Sequence, residues 1–303
     1  MIINVMNIIN SISEFHRLLS LKPPLHPLVS VIHLEEVTFR QDGIWEQFFL
    51  NFYCISLKRD VRGKIKYGQQ YYDFNKGIMS FTAPRQVQSL DVVNVKPGTG
   101  YLLVFHPDLL SNYPLSTTIK TYGFFAYAVS EALHLSEKEE QDIITILDKM
   151  DDEYRHIDRH TQDIVVSQVD LLLNYANRFY ERQFITRKKN AHDLLARFDA
   201  VLTDYVESGK TSASGLPTVH FLAETLHLSP NYLSDMLRVL TGQNTQQHIQ
   251  DKLIEKAKEL LVTTSLSVAE IAYQLGFEYP QSLNKLFKNK TNLSPLEYRQ
   301  SFN

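Results

Sequence analysis

One pattern constrains this chain more than any other, and it occurs twice. "FLAETLHLSPNYLSDMLRVLTG" runs from Phe221 to Gly242, and "IAYQLGFEYPQSLNKLFKNKTN" from Ile271 to Asn292. Leu222, Ala223, Leu226 and Leu228 recur 49 residues later as Ile271, Ala272, Leu275 and Phe277. Leu233, Leu237 and Gly242 recur 50 residues later as Leu283, Phe287 and Asn292, so the second copy has one extra residue in its turn. Each copy reads as two short amphipathic helices joined by a sharp turn. In the second, Ser267-x-x-Glu270 is a capping box that starts a helix. Gly276 stops it, because glycine takes left-handed φ without a Cβ penalty. Pro280 suits the first turn of the next helix, where its missing N–H costs nothing. In the first, Ser229 caps and Pro230 takes the same place. Ala272 is small enough to let a second helix cross closely.

The second helix of each copy keeps a polar outer side. Ser229, Asn231, Ser234, Asp235 and Arg238 should face outward in the first copy, and Gln281, Ser282, Asn284, Lys285 and Lys288 in the second. Asn and Gln can read adenine in two-point contact, and Lys and Arg can read guanine or hold phosphate. Between the copies, "TQQHIQDKLIEKAKELL" reads as one helix with Ile249, Leu253, Ala257, Leu260 and Leu261 on its core face. It would hold the two copies at a fixed separation, matching successive major-groove segments about one helical turn, ~34 Å, apart.

With "SVAEIAYQLGF", "NKLFK" and "LSPLEYR", the region from Pro217 to Arg299 resembles the AraC/XylS family of bacterial transcription regulators. The resemblance implies a DNA-binding domain of two helix-turn-helix units joined by a long helix, with double-stranded promoter DNA as partner. Three positions depart from the family pattern. His227 stands where the second copy has Gly276. Asn292 replaces the glycine usual before "SP"; Asn is the next best residue in left-handed backbone. Asp235 stands where the family often has a basic residue, and it could either accept from a cytosine amino group or repel phosphate.

The rest of the chain reads differently. Residues 28–106 carry short runs rich in Val, Ile, Phe and Tyr: "LVSVIHLEEVTF", "EQFFLNFYCISL", "GKIKYGQQYYDF", "GIMSFTA", "QVQSLDVV" and "GYLLVFH". Turn signals such as Gln41-Asp42-Gly43, Asn75-Lys76-Gly77 and Lys96-Pro97-Gly98 separate them, which suggests a sandwich or barrel. Residues 107–183 read as helical. Ser136-x-x-Glu139 opens one helix, and the next, roughly Thr161 to Glu181, places Val165, Val169, Leu172, Ala176 and Phe179 on a seam about two heptads long. That stripe is either a dimerisation helix or an internal one. "MIINVMNIINSISEFHRLLSL" reads as an amphipathic helix with Ile8, Ile12, Phe15 and Leu19 on one face, not as a signal peptide. "FITRKKN", residues 184–190, is the expected linker, and "KTSASGLP" reads as a loop. The order of strands followed by helices is that of the family's cupin-like effector and dimerisation domains. The resemblance therefore implies an α+β chain: a cupin-like domain over 1–183, and a DNA-binding domain over 191–303 with helix-turn-helix units at about 218–241 and 267–290.

Composition narrows the partners. Net charge is −3, but residues 187–303 hold 13 Lys and Arg against 12 Asp and Glu, and Gln281 to Asn303 carry four basic residues against Glu297 alone. Basic charge is therefore concentrated at the end of the chain, with few phosphate contacts available. Apolar content of 44% suits a globular protein, and no apolar run of ~18 residues is present to span a membrane. The expected compartment is the cytoplasm. The single cysteine, Cys54, lies in an apolar strand-like run and excludes an intramolecular disulfide framework. His33 and His106 stand alone, without the spacing of a metal set, so no cofactor is expected. Trp45, Phe52 and Tyr71 are candidates to line an apolar effector pocket. The expected function is sequence-specific DNA binding for transcriptional control, governed by a small effector, with a homodimer and, for activation, RNA polymerase as further partners. The alternatives are a cupin-type enzyme tethered to DNA and a helical interaction scaffold that binds no DNA.

Overall fold

The computed structural model describes residues 7–39, 43–59, 61–67, 70–74, 77–90, 98–128, 131–186 and 188–302. It divides into an N-terminal unit, Met1–Gln183, and a C-terminal unit, Phe184–Asn303.

The N-terminal unit opens with β1 (Asn7–Ile9) and α1 (Ile12–Leu18). The long amphipathic helix expected there is shorter: Ser11 accepts a hydrogen bond from the Glu14 N–H and starts the helix, while Ile8 lies on the strand, 48% exposed. β1 pairs in parallel with β3 (Phe48–Leu50), which follows β2 (Val29–His33). Next come β4 (Tyr53–Arg59), the hairpin β5 (Val61–Tyr67) and β6 (Gln70–Phe74), β7 (Ile78–Thr82) and β8 (Thr99–Phe105). Then α2 (Leu115–Thr118), β9 (Leu133–His134), α3 (Glu137–Arg155) and α4 (Thr161–Thr186) complete this half of the order. The main sheet is five-stranded in the order β2-β8-β4-β7-β9, with every pair antiparallel. The run "QVQSLDVV" forms no named strand among the described residues; Gln88 makes a single bridge to Phe48. The loop residues 41, 42, 75, 76, 96 and 97 and the side chain of Tyr71 lie outside the described residues.

A core of aromatic and aliphatic side chains ties α1 to the strands. Trp45 and Phe52 are buried in it, with Phe15 edge-on to both at ring-centroid distances of 6.3 and 5.5 Å. Such pairs contribute about 0.5–1.5 kcal/mol beyond their area. The two candidate effector residues are thus packed core side chains. The Trp45 Nε1–H is buried and has no hydrogen-bond partner among the described residues. On α3 the capping box is formed by Ser136 and Glu139, and Glu139 also accepts from the Arg182 guanidinium of α4 at 2.6 Å. The α4 stripe of Val165, Val169, Leu172, Ala176 and Phe179 is buried within the single chain, which is the internal alternative for that seam. Cys54 sits on β4 opposite Thr82 and Val104, and burial pushes its thiol up to about 12, so it stays protonated.

The C-terminal unit is helical: α5 (Lys188–Glu207), α6 (Lys210–Ser214), α7 (Val219–Leu226), α8 (Pro230–Thr241), α9 (Thr245–Thr263), α10 (Val268–Gln274), α11 (Pro280–Thr291) and α12 (Pro295–Gln300). The stretch 184–190, expected as a linker, is helical on either side of residue 187: α4 runs to Thr186 and α5 starts at Lys188. "KTSASGLP" is not a plain loop either; its first five residues form α6. Basic and small residues do not exclude one helical turn once it has a surface to pack on. The expected core face of α9 is in place, with Ile249, Leu253, Ala257, Leu260 and Leu261 buried. This helix packs on α5, α8, α10, α11 and α12.

Both helix-turn-helix turns close by the same backbone device. The Leu228 N–H donates to the Ala223 carbonyl at 2.9 Å, and the Phe277 N–H to the Ala272 carbonyl at 2.9 Å. These are the six-to-one bonds of a Schellman turn, which needs a left-handed residue just before the donor. His227 supplies it with φ 60°, and Gly276 with φ 85°. The two positions differ in space. His227 is exposed, whereas a Cβ on Gly276 would lie 2.7 Å from both the Gly215 carbonyl carbon and the Thr211 carbonyl oxygen.

Two outcomes follow from these contacts. Gly276→Ala adds left-handed strain and a backbone clash, and should destabilise the C-terminal unit by about 3 kcal/mol. His227→Gly should stay within about 1 kcal/mol of the parent, because relieved strain is offset by unfolded-chain entropy. Urea titrations followed by helical ellipticity check both, and equal losses would refute the spatial difference. A separate outcome concerns His16, which is buried. Its Nδ1–H donates to the Lys22 carbonyl at 2.7 Å, so the neutral Nε2 accepts from the Ser30 hydroxyl at 2.9 Å. Burial lowers its pKa, so the unfolded chain takes up the proton first. Its contribution is complete above about pH 6.5 and is lost as pH falls below that. Unfolding followed by Trp45 fluorescence should show the N-terminal unit weakening as pH falls below about 6.5, and His16→Gln should flatten that slope. An unchanged slope in the variant would assign the proton elsewhere.

Candidate nucleic-acid interface

The outer face of α11 is built by position alone. Leu283 and Phe287 point into the core, which leaves Gln281, Ser282, Asn284, Lys285 and Lys288 exposed on the opposite side. Pro280 occupies the first turn, as its missing N–H allows, and Asn292 closes the helix with φ 62° and its N–H on the Lys288 carbonyl at 2.9 Å. Lys285 and Lys288 make no ion pair among the described residues. Upstream, Ser267 and Glu270 complete the capping box of α10, and the hydrogen bonds from the Ser267 hydroxyl and N–H hold the Glu270 carboxyl below the ordinary glutamate range.

The face of α8 is different. Ser229 accepts from the Tyr232 N–H at 3.3 Å and is occupied as the helix cap. Asn231 and Arg238 are exposed, and Asp235 lies between them. Asp235 takes the Arg238 guanidinium at 2.7 Å, so the ridge carries a locally neutralised pair. Ser234 was expected to face outward and instead shares a hydrogen bond of 2.9 Å with Thr245, a fully buried residue at the start of α9. The physical reason is register: position 234 faces the N-terminus of the connecting helix, where a hydroxyl can partner another. Gly242 ends α8 with φ 80°, matching Asn292 in the second copy.

The other basic residues near the C-terminus have structural partners. Arg299 donates to the carbonyls of Leu261 at 2.9 Å and Leu266 at 2.7 Å, closing the end of α9. Lys290 pairs with Asp251 on α9 at 2.6 Å. Lys258 lies over the Tyr298 ring, 5.8 Å from its centre. Of the four cations counted in Gln281–Asn303, Lys285 and Lys288 are therefore the two directed outward without a partner of this kind. Sequence reasoning passed over two aromatics. Tyr273 on α10 and Tyr279 just before α11 are 57% and 59% exposed, beside the second turn. The signal was present: neither repeats an apolar residue of the first copy, where Glu224 stands opposite Tyr273.

Elsewhere, His33 Nε2 lies 3.3 Å from Asp151 Oδ2, and His106 Nδ1 is 3.3 Å from Asp108 Oδ2. Among the described residues no group of three His, Cys, Asp or Glu is placed to hold a metal ion, and no helix is long and apolar enough to cross a membrane.

Residues 222–301 match a family model described as a helix-turn-helix domain. The uncharacterized HTH-type transcriptional regulator YijO of Escherichia coli is 32% identical over 107 residues, which is 35% of this chain and 36% of that protein. The uncharacterized HTH-type transcriptional regulator YisR of Bacillus subtilis is 32% identical over 83 residues, 27% of this chain and 29% of that protein. Among solved structures, the C-terminal domain of the two-component response regulator yesN of Fusobacterium nucleatum is 36% identical; the match covers 33% of this chain and 96% of that one, with a TM-score of 0.30. The chain thus spans about a third of the length of the curated relatives it matches. The duplicated pair of crossed helices, with its alanines, left-handed turns and serine caps, agrees with the family match: the C-terminal unit carries a helix-turn-helix domain similar to those of AraC-type transcriptional regulators.

Proposed function

We propose that this protein is a sequence-specific DNA-binding transcriptional regulator. The observation that carries it is the exposed row Gln281, Ser282, Asn284, Lys285 and Lys288 on α11, backed by a core that fixes the helix in place. α11 is the principal reading helix: its amides match adenine edges and its lysines match guanine or phosphate. Tyr279, exposed beside the helix start, has a phenol suited to a phosphate oxygen. α8 contributes Asn231, with Arg238 available to the duplex only by sharing or leaving Asp235. The relatives' printed names, HTH-type transcriptional regulators, support the same reading.

The N-terminal unit is the seat of control in this proposal. Its sheet and aromatic core suit a cupin-like effector domain, and an apolar small molecule would have to displace or repack side chains such as Trp45 and Phe52. Dimerisation would raise occupancy of an operator to which one copy brings few cations. On α4 the exposed apolar residues are Ile164, Leu171 and Ile185, 39%, 47% and 49% exposed, and the first two, seven apart, would serve that purpose in place of the buried seam. RNA polymerase is a further partner if regulation is positive.

The test is selection from a randomised duplex library by the full chain, followed by titration of the enriched duplex. Lys285→Ala with Lys288→Ala should weaken binding at least tenfold. It should also reduce the salt slope by about 2, since each lost phosphate contact removes ~0.9. Arg238→Ala should cost less, because Asp235 already offsets that charge. Unchanged affinity in the double variant, or no enrichment by the parent chain, would overturn the proposal.

A further inference from the structure

The two reading helices are joined by α9, and one shaft fixes distance better than rotation. A second connection is present in the C-terminal unit. α10 ends with the orphan carbonyl that any helix end leaves, on Gln274. The carbonyls around it are already used: Ile271 accepts from the Leu275 N–H, Ala272 from Phe277 and Tyr273 from Gly276. The Gln274 carbonyl instead accepts two hydroxyls from α6, Thr211 at 2.7 Å and Ser212 at 3.0 Å. Thr211 is 2% exposed. Beside it, the backbone of Gly276 presses on Thr211, Gly215 and Leu216 so closely that no Cβ fits. The far end of this contact reaches the first copy. The Tyr205 hydroxyl of α5 donates to the Gly215 carbonyl at 3.2 Å, and its ring packs edge-on to Phe221 of α7 at 4.9 Å between centres.

We infer that α6 is a brace that sets the rotational phase of α11 relative to α8, with Thr211, Ser212 and Tyr205 as its positioning residues. The argument is one of constraint. A helix pair attached only to α9 can pivot about that axis at the cost of side-chain repacking. A second attachment, off the axis and made of backbone contact and three hydrogen bonds, closes the loop from α7 through α5 and α6 to α10. Pivoting then requires breaking it. The asymmetry between the two turns follows: His227 needs only left-handed backbone, while Gly276 must also admit the brace. On the DNA-binding reading, which this inference presupposes for its consequence, rotational phase is spacing. Adjacent base pairs differ by about 34° at ~10.5 per turn, so a fixed phase selects one separation between the two sequence elements read.

Two measurements test it. The first needs no DNA: in a Cys54→Ser background, nitroxide labels on Glu224→Cys and Asn289→Cys, both exposed positions, report the α7–α11 distance distribution by pulsed electron resonance. Thr211→Val with Ser212→Ala should broaden a narrow distribution. Tyr205→Phe with Ser212→Ala, which leaves the buried Thr211 intact, is the second variant should the first fail to fold. The other measurement inserts or removes one base pair between the two elements of the library-selected duplex. The parent should lose about tenfold in affinity and the braceless variants about threefold or less. Equal distribution widths and equal spacer penalties in parent and variants would overturn the inference. If the parent enriches no duplex, the DNA-binding reading fails, and the distance distributions still decide the brace.

Discussion

Each outward-facing helix, α8 and α11, is aimed by a turn in which two backbones come nearly into contact. Ala223 and Ala272, both fully buried, let the second helix of each pair cross the first without a side chain between them. The left-handed residue that follows returns the chain, and the next apolar residue, Leu228 or Phe277, caps the crossing from behind. The outward faces of α8 and α11 are consequences of this geometry. Once Leu233 and Leu237, or Leu283 and Phe287, are seated in the core, a 3.6-residue period leaves no freedom in which residues face away. Large side chains at the alanines would push the helices apart and turn both faces at once, without touching a residue on either.

That dependence explains what was legible in the sequence. Alanine, left-handed residue, serine cap and apolar period are local signals, and they repeat, so the C-terminal unit could be read closely. Features set by a distant neighbour could not. Ser234 looks like its outward-facing neighbours until Thr245 of α9 is placed against it. Arg299 and Lys290 read as basic charge for a polyanion, yet one closes the end of α9 and the other pairs with Asp251. α6 hid in a polar, small-residue stretch because its stabilisation comes from the Gln274 carbonyl some 62 residues away. In the N-terminal unit, Ile8 continues a helical period in sequence but pairs as a strand with Phe49, a contact 41 residues distant. The seam on α4 was ambiguous for a related reason: a buried stripe and a dimer stripe have the same period, and only the packing around Val169 and Leu172 separates them.

Charge accounting then bears on how such a domain could work. Long-range attraction to a polyanion depends on cations not already neutralised nearby. In α8 the Arg238 charge is met by Asp235 within its own turn; in α11 Lys285 and Lys288 make no ion pair among the described residues, although Lys288 acts on the Glu297 carboxylate without one. The two copies therefore differ in kind although their cores repeat. On the proposed DNA-binding function, a duplex approaching this domain would be drawn to the second copy, and the first would read what rigid geometry then places before it.

On that proposed function the division carries a structural requirement. A weakly charged reader gains nothing from proximity unless its orientation is already set when the strongly charged one lands, because ordering it afterwards would consume binding free energy. The side of the domain that must be held most firmly is thus the junction between copies. There the chain places a backbone approach too close for any Cβ, Gly276 against Gly215 and Thr211, and fills the last carbonyl of α10 with two hydroxyls. A chain whose first copy held its own free cations could tolerate a looser junction, since each half would find the groove independently. With Asp235 beside Arg238, this one cannot, and the extra turn of helix at α6 is where the difference is met.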